Sequence, residues 1–153
     1  MPNTNNPKLN EWLPKLKEVV KHPDEELYLV GHSLGCITIL RYLESVNTKV
    51  GGVVMVAGWM NLLKEIFLKE EGVEEIARPW IETPINWDKV KANCNKFVAI
   101  FSDNDYYVPL SDSEIFKEKL GAEIIVKKEM GHFTSKEGVF KLPVVLEFFK
   151  NLS

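Results

Sequence analysis

Val50 to Ala57, read as Val-Gly-Gly-Val-Val-Met-Val-Ala, constrains this chain more than any other stretch. It is rich in β-branched residues and carries no polar side chain. A run of this kind is covered on both faces, so it reads as a central strand of a parallel sheet. Around it, helical and strand-like segments alternate, the signature of a layered α/β domain. Leu27 to Gly31, Phe97 to Phe101 and Glu123 to Lys127 read as further strands. Each is followed by a loop and a helix, which places every strand C-terminus on one edge of a parallel sheet. Ligands bind at that edge in open α/β sheets.

The helices carry their own signals. Trp12, Leu13, Leu16, Val19 and Val20 recur at helical spacing after Asn10, an expected N-cap, with Pro14 then in the first turn. Leu34 to Ser45 is expected to be a helix with Cys36, Ile39, Leu40 and Leu43 on one side. Met60 to Glu71 is a helical piece, followed by a loop with Pro79 and Pro84 and a short helix from Trp87 or Asp88. Ser111 and Glu114 have the spacing of a capping box for a helix that ends near Leu120 and is closed by Gly121. Val139 to Leu152 is a final helix, with Pro143 tolerable in its first turn.

Length and composition narrow the function classes. At 153 residues, one domain over 1–153 is expected. A net charge of −3 gives no reason to expect nucleic acid, and no Lys/Arg cluster suggests an anionic membrane. The longest nearly apolar run, Val50 to Met60, falls far short of the roughly 20 residues of a membrane span. The N-terminal "MPNTNNPKLN" lacks the layout of a signal peptide, and Cys36 and Cys94 form neither a metal spacing nor a disulfide framework. The expected location is cytoplasmic.

Leu27 to Gly31 runs directly into Gly31-His32-Ser33-Leu34-Gly35. A G-x-S-x-G string arises by chance in roughly one chain in twenty of this length, so the string alone decides little. Its context is stricter. A nucleophilic serine of this type sits on a strained turn between a buried strand and a helix, with glycines where a Cβ at either site would collide with the backbone. Both flanks are met here. A serine hydroxyl also needs a base to take its proton and a third group to orient that base. In this arrangement the partners follow in the order serine, acid, histidine. "SDNDYYVP" after the third strand offers Asp103 and Asp105, and "KEMGHF" after the fourth offers His132. His22 lies at a helix end, and His32 adjoins Ser33 so that the two side chains should diverge. His132 is therefore the expected base, and the residues alone leave both aspartates open as the acid.

With these residues in place, the chain resembles the small α/β-hydrolase family of serine hydrolases typified by retinoblastoma-binding protein 9 and its bacterial relatives. The resemblance rests on "GHSLG" before a helix containing "RYLE", on "INWDKVKANCNKFVAIFSDNDYYVP" and on "MGHF", and spans about Met1 to Leu152. It implies an α/β-hydrolase-like three-layer sandwich with a mainly parallel sheet. It also implies hydrolysis of a small ester, thioester or amide through an acyl-enzyme, with no metal or organic cofactor. The family's acid lies four residues before a proline in a D-x-x-hydrophobic-P pattern, which matches Asp105 to Pro109 and leaves Asp103 as a turn residue. One oxyanion N–H comes from the residue after the nucleophile, here Leu34. The other comes from a His-Gly loop in an N-terminal β-α-β portion for which this chain shows no counterpart. The expectation is an N-terminally truncated sandwich with about four strands left. Losing one oxyanion donor typically costs on the order of 2.7–4 kcal/mol of transition-state stabilisation. The alternative is therefore a catalytically weak or inactive binding protein on the same fold. The strand Leu27 to Gly31 would then be an exposed edge open to self-association. Trp59, Met60 and Phe133, with Trp80, are expected either to line an apolar substrate pocket or to pack the 59–87 segment onto the sheet.

Overall fold

The computed structural model describes residues 1–64, 66 and 70–150. Its sheet has the strands β1 (Tyr28–His32), β2 (Gly52–Val56), β3 (Phe97–Ser102) and β4 (Glu123–Lys127), in that spatial order and all parallel. The register sets Val30 beside Val54, Met55 beside Ala99 and Ile100 beside Ile125. The helices are α1 (Leu9–Val19), α2 (Leu34–Ser45), α3 (Val73–Ile81), α4 (Trp87–Ala92), α5 (Asp112–Leu120) and α6 (Pro143–Lys150), with a 3₁₀ turn at Ser135–Glu137.

Strand alternation sends successive side chains to opposite faces. Val53 and Met55 join Phe97, Ala99 and Phe101 in a core covered by α1 to α5. Val54 and Val56 join Val98 and Ile100 on the other face, under Phe133 and Phe148. Every residue of β2 and β3 is buried, which is why these two runs contain no exposed polar side chain at all. The result is the expected three-layer α/β sandwich. β1 pairs with β2 alone among the described residues and leaves Tyr28 and Val30 exposed. No helix among the described residues is long and apolar enough to cross a membrane.

Several local expectations change. α1 starts at Leu9 rather than after Asn10, so Pro14 lies beyond the first turn. Packing holds it there: Trp12 meets Trp80 edge-on at 5.5 Å and donates its indole N–H to the Pro2 carbonyl at 2.7 Å. Pro79 is inside α3 and not in a loop, because the buried Ala77 and Trp80 anchor that helix against the core despite the lost backbone bond. Ser111 is itself helical in conformation and makes no side-chain cap. A capping box does form, at Thr134 and Glu137. The Pro84 loop is tied down by the buried Arg41, whose guanidinium donates to the Thr83 and Pro84 carbonyls. Of the helical piece expected over Met60 to Glu71, Glu65 and residues 67–69 lie outside the described residues, as do residues 151–152 of the final helix expected over Val139 to Leu152.

Candidate active site

The turn between β1 and α2 is strained where the sequence pattern asks for strain. Ser33 has φ 52 and ψ −120, a conformation that costs a non-glycine residue of order 1–3 kcal/mol. Two backbone bonds fix it: the Ser33 N–H donates to the Val56 carbonyl at 3.0 Å, and the Ser33 carbonyl accepts from Cys36 at 2.9 Å. A Cβ on Gly31 would lie 2.8 Å from the Cys36 nitrogen and 2.9 Å from the Gly35 carbonyl, so only glycine fits there. Gly35 differs from expectation, since a Cβ at that position meets nothing within 4 Å. Leu34 is the first residue of α2, where backbone N–H groups lack intrahelical acceptors, and it lines the cavity beside Ser33.

The loops after β3 and β4 are joined by side chains. Ser102, Asp103, Asn104 and Asp105 are consecutive, and each reaches across to the loop after β4. The Ser102 hydroxyl accepts from Met130 N–H at 3.0 Å, and the Asp103 carboxylate from Glu129 N–H at 2.8 Å. The Asn104 side-chain oxygen accepts from Gly131 N–H at 2.8 Å. Asp105 Oδ2 takes the last rung, 2.9 Å from His132 Nδ1. The other oxygen of Asp105 accepts from the Tyr107 and Val108 N–H groups at 2.8 and 3.1 Å, which fixes the carboxylate's orientation. Asp103 is therefore a cross-loop tie and not the self-bonded turn residue expected of it. The loop it holds needs unusual backbone, with positive φ at Glu129, Gly131 and Phe133.

Ser33 and His132 line one cavity of about 380 Å³. Its walls are mostly apolar, with Leu62, Val73, Ile76, Ala77 and the rings of Trp59, Tyr106 and Tyr107, and Thr134, Ser135 and Lys136 also line it. Bonding His132 Nδ1 to Asp105 leaves Nε2 as the ring nitrogen available to a serine. The described hydrogen bonds do not link His132 to Ser33 directly; the side-chain partner of the Ser33 oxygen is the Trp59 indole, at 3.3 Å. Catalytic hydrogen bonds are commonly long or unmade before substrate arrives. Tyr107 packs its ring 4.8 Å from the His132 ring and donates its hydroxyl to Glu70 at 2.8 Å. Burial first, and then Glu70, pushes its phenol up to about 12, so it stays a donor.

Trp59 thus sits where a pocket residue was expected, but three others do not. Met60 is not among the described residues that line the cavity. Its backbone N–H is held at 2.6 Å by the buried Asp112. Phe133 packs on the opposite face of the sheet, because its positive φ turns it away from His132. Trp80 is fully buried in the helical core. His32 has a part that sequence reasoning missed: its Nε2–H meets the His132 carbonyl at 2.8 Å, and the two rings lie 4.9 Å apart. The residue keeps contact with solvent, but desolvation of the ring on the His132 side lowers its pKa, which favours the neutral form. Alternation along β1 gives the face, since His32 must point away from Gly31 and toward the layer that carries Phe133, but the contact with His132 depends on a loop 100 positions away.

The chain is similar in sequence and in fold to known hydrolases. Over 149 residues the chain is 30% identical to YdeN of Bacillus subtilis (strain 168), named as a candidate hydrolase, covering 96% of this chain and 74% of that one. The crystal structure of the ydeN gene product superimposes with a TM-score of 0.85 at 29% identity, over 99% of this chain and 78% of the other. The serine hydrolase RBBP9 of Rattus norvegicus is 29% identical over 126 residues, which is 82% of this chain and 62% of its own length. A YdeN-like protein from Pectobacterium atrosepticum shares the fold at a TM-score of 0.66 and 16% identity, over 96% of this chain and 70% of that one. Residues 1–151 match the serine hydrolase family, and with a strained serine, a buried Asp–His pair and a parallel α/β sheet, the chain belongs to it.

Proposed function

We propose that this chain hydrolyses a small ester, thioester or amide through an acyl-enzyme on Ser33. His132 takes the serine proton through Nε2 and returns it to the leaving group, and Asp105 holds the imidazole in the tautomer that leaves Nε2 unprotonated. The Leu34 N–H supports the carbonyl oxygen as it becomes an oxyanion. The apolar cavity favours an uncharged acyl or leaving group, and no cofactor is required. A single observation carries the reading. A buried Asp105–His132 pair, 2.9 Å apart and separated by 27 positions in sequence, opens onto the same cavity as a serine held at positive φ. Strained backbone and paired ionisable groups in a cleft both concentrate at functional sites, and here the two share one cavity.

A fluorophosphonate probe tests this directly. Wild type is expected to label at Ser33, Ser33→Ala not at all, and His132→Ala at a strongly reduced rate. Correctly folded wild-type protein that takes no label would leave the fold as a binding module and remove the hydrolytic reading.

A further inference from the structure

The nucleophile has a neighbour outside the triad. Trp59 follows the C-terminal end of β2, is 3% exposed, and donates its indole N–H to Ser33 Oγ at 3.3 Å. No other acceptor for that N–H is present among the described residues. A buried donor without a partner costs about 1–3 kcal/mol, so the ring orientation depends on the serine oxygen.

The backbone on either side of Trp59 is also fixed. Gly58 lets the chain pass close to the core, since a Cβ there would sit 3.2 Å from Phe116 and 3.3 Å from Cys36. The next two residues are pinned by one carboxylate. Asp112, 1% exposed, accepts from the Met60 and Asn61 N–H groups at 2.6 and 2.8 Å, and from the Asn61 side chain at 2.8 Å. The N–H that reaches Ser33 is thus a preorganised dipole and not a side chain swept in by chance.

We propose that Trp59 is a catalytic residue whose indole N–H stabilises the negative charge that grows on the Ser33 oxygen. The proposal rests on Ser33 being the nucleophile. In acylation the Oγ–H proton passes to His132 Nε2 while the Oγ–carbon bond forms, and the leaving group departs with that proton. In deacylation water gives a proton to His132 and attacks the acyl carbon. The carbon–Oγ bond then breaks, its electron pair goes to Oγ, and His132 returns the proton. Oγ carries excess charge in both halves, and the indole N–H donates throughout without being transferred. At 3.3 Å the bond is longer than the usual 2.9–3.0 Å to a neutral oxygen. It can tighten as charge accumulates, and an interaction stronger in the transition state than in the ground state is what accelerates a reaction. The labour is divided: Leu34 N–H serves the carbonyl oxygen, and Trp59 N–H serves the serine oxygen.

The discriminating variant replaces Trp59 with β-(3-benzothienyl)alanine, which keeps the shape and puts sulfur in place of N–H. Trp59→Phe is the genetically simple companion. Loss of a hydrogen bond to a charged atom predicts a fall of about 10- to 100-fold in the fluorophosphonate labelling rate and in kcat for p-nitrophenyl acetate, with KM nearly unchanged. An unchanged labelling rate in the benzothienyl variant overturns the proposal. So does a rise in KM at constant kcat, which would make Trp59 simply a wall of the cavity. A wild type that does not label at Ser33 removes the nucleophile itself, whereas normal labelling in both proteins removes Trp59 alone.

Discussion

The elbow after β1 and the paired loops after β3 and β4 hold their residues by opposite means. At the elbow almost everything is backbone. Ser33 is fixed by two main-chain hydrogen bonds, and the turn closes because Gly31 has no Cβ. In the loops after β3 and β4 the main chain is irregular, and four consecutive side chains, Ser102 to Asp105, fasten one loop to the other. A serine nucleophile needs a fixed direction of approach, which a rigid turn between two regular elements supplies. An imidazole needs a fixed tautomer and must still accept and release a proton, which a charged hydrogen bond supplies. The lesson is that the elbow should be sensitive to volume and the loops to hydrogen-bonding capacity.

The largest effect tests the loop side. Asp105→Asn keeps the size of the side chain but favours the wrong imidazole tautomer, so kcat should fall by about 10⁴-fold with little change in Tm. A fall confined to Tm would show that Asp105 is a structural rung only. Next comes Gly31→Ala, where a Cβ would press on backbone atoms that cannot move aside; unfolding in urea should show a loss on the order of 3–5 kcal/mol. Removing one ordinary rung should cost less. Asn104→Ala leaves the Gly131 N–H unpaired, which predicts a stability loss of about 1–3 kcal/mol and a parallel fall in kcat.

The pH dependence offers a smaller test of the same loop. Hydrogen bonds from Thr134 and Tyr106 hold the Glu137 carboxyl down at about 2, below its ordinary 4.5. Its contribution is therefore present above about 4.5 and is lost as pH falls toward about 2. Glu137→Gln should flatten the urea midpoint against pH in that window and leave it unchanged near neutrality. The smallest effect belongs to Gly35→Ala. Its Cβ enters open space in this chain, so stability should stay level or rise by up to about 1 kcal/mol from helix propensity alone. A large loss there would mean that both glycines, and not one, are sterically required.

Much of this arrangement is legible in the sequence where the signal is local. The buried run Val53–Val56 has to be a central strand, and α2 begins and ends where its apolar spacing begins and ends. The strand–turn–helix context marks Ser33. The proline-containing helix α3 is not legible, because what keeps Pro79 helical is the burial of Ala77 and Trp80 by partners distant in sequence. Nor is the side of the sheet on which Phe133 lands, since a positive φ at one loop residue reverses it.

By itself the sequence determined the alternation of strands and helices in a parallel sheet, the strained serine turn and the candidate serine, acid and histidine. Periodicity, a glycine and hydrogen-bonding chemistry act over a few neighbouring residues, so they can be read along the chain. Tertiary structure alone decided that Ser102 to Asp105 would form a ladder to 129–132, that His32 would brace His132, and that Trp59 would turn its N–H to Ser33. Those contacts join residues 26 to 100 positions apart, and their geometry depends on strand register and on loop backbone that no local pattern encodes.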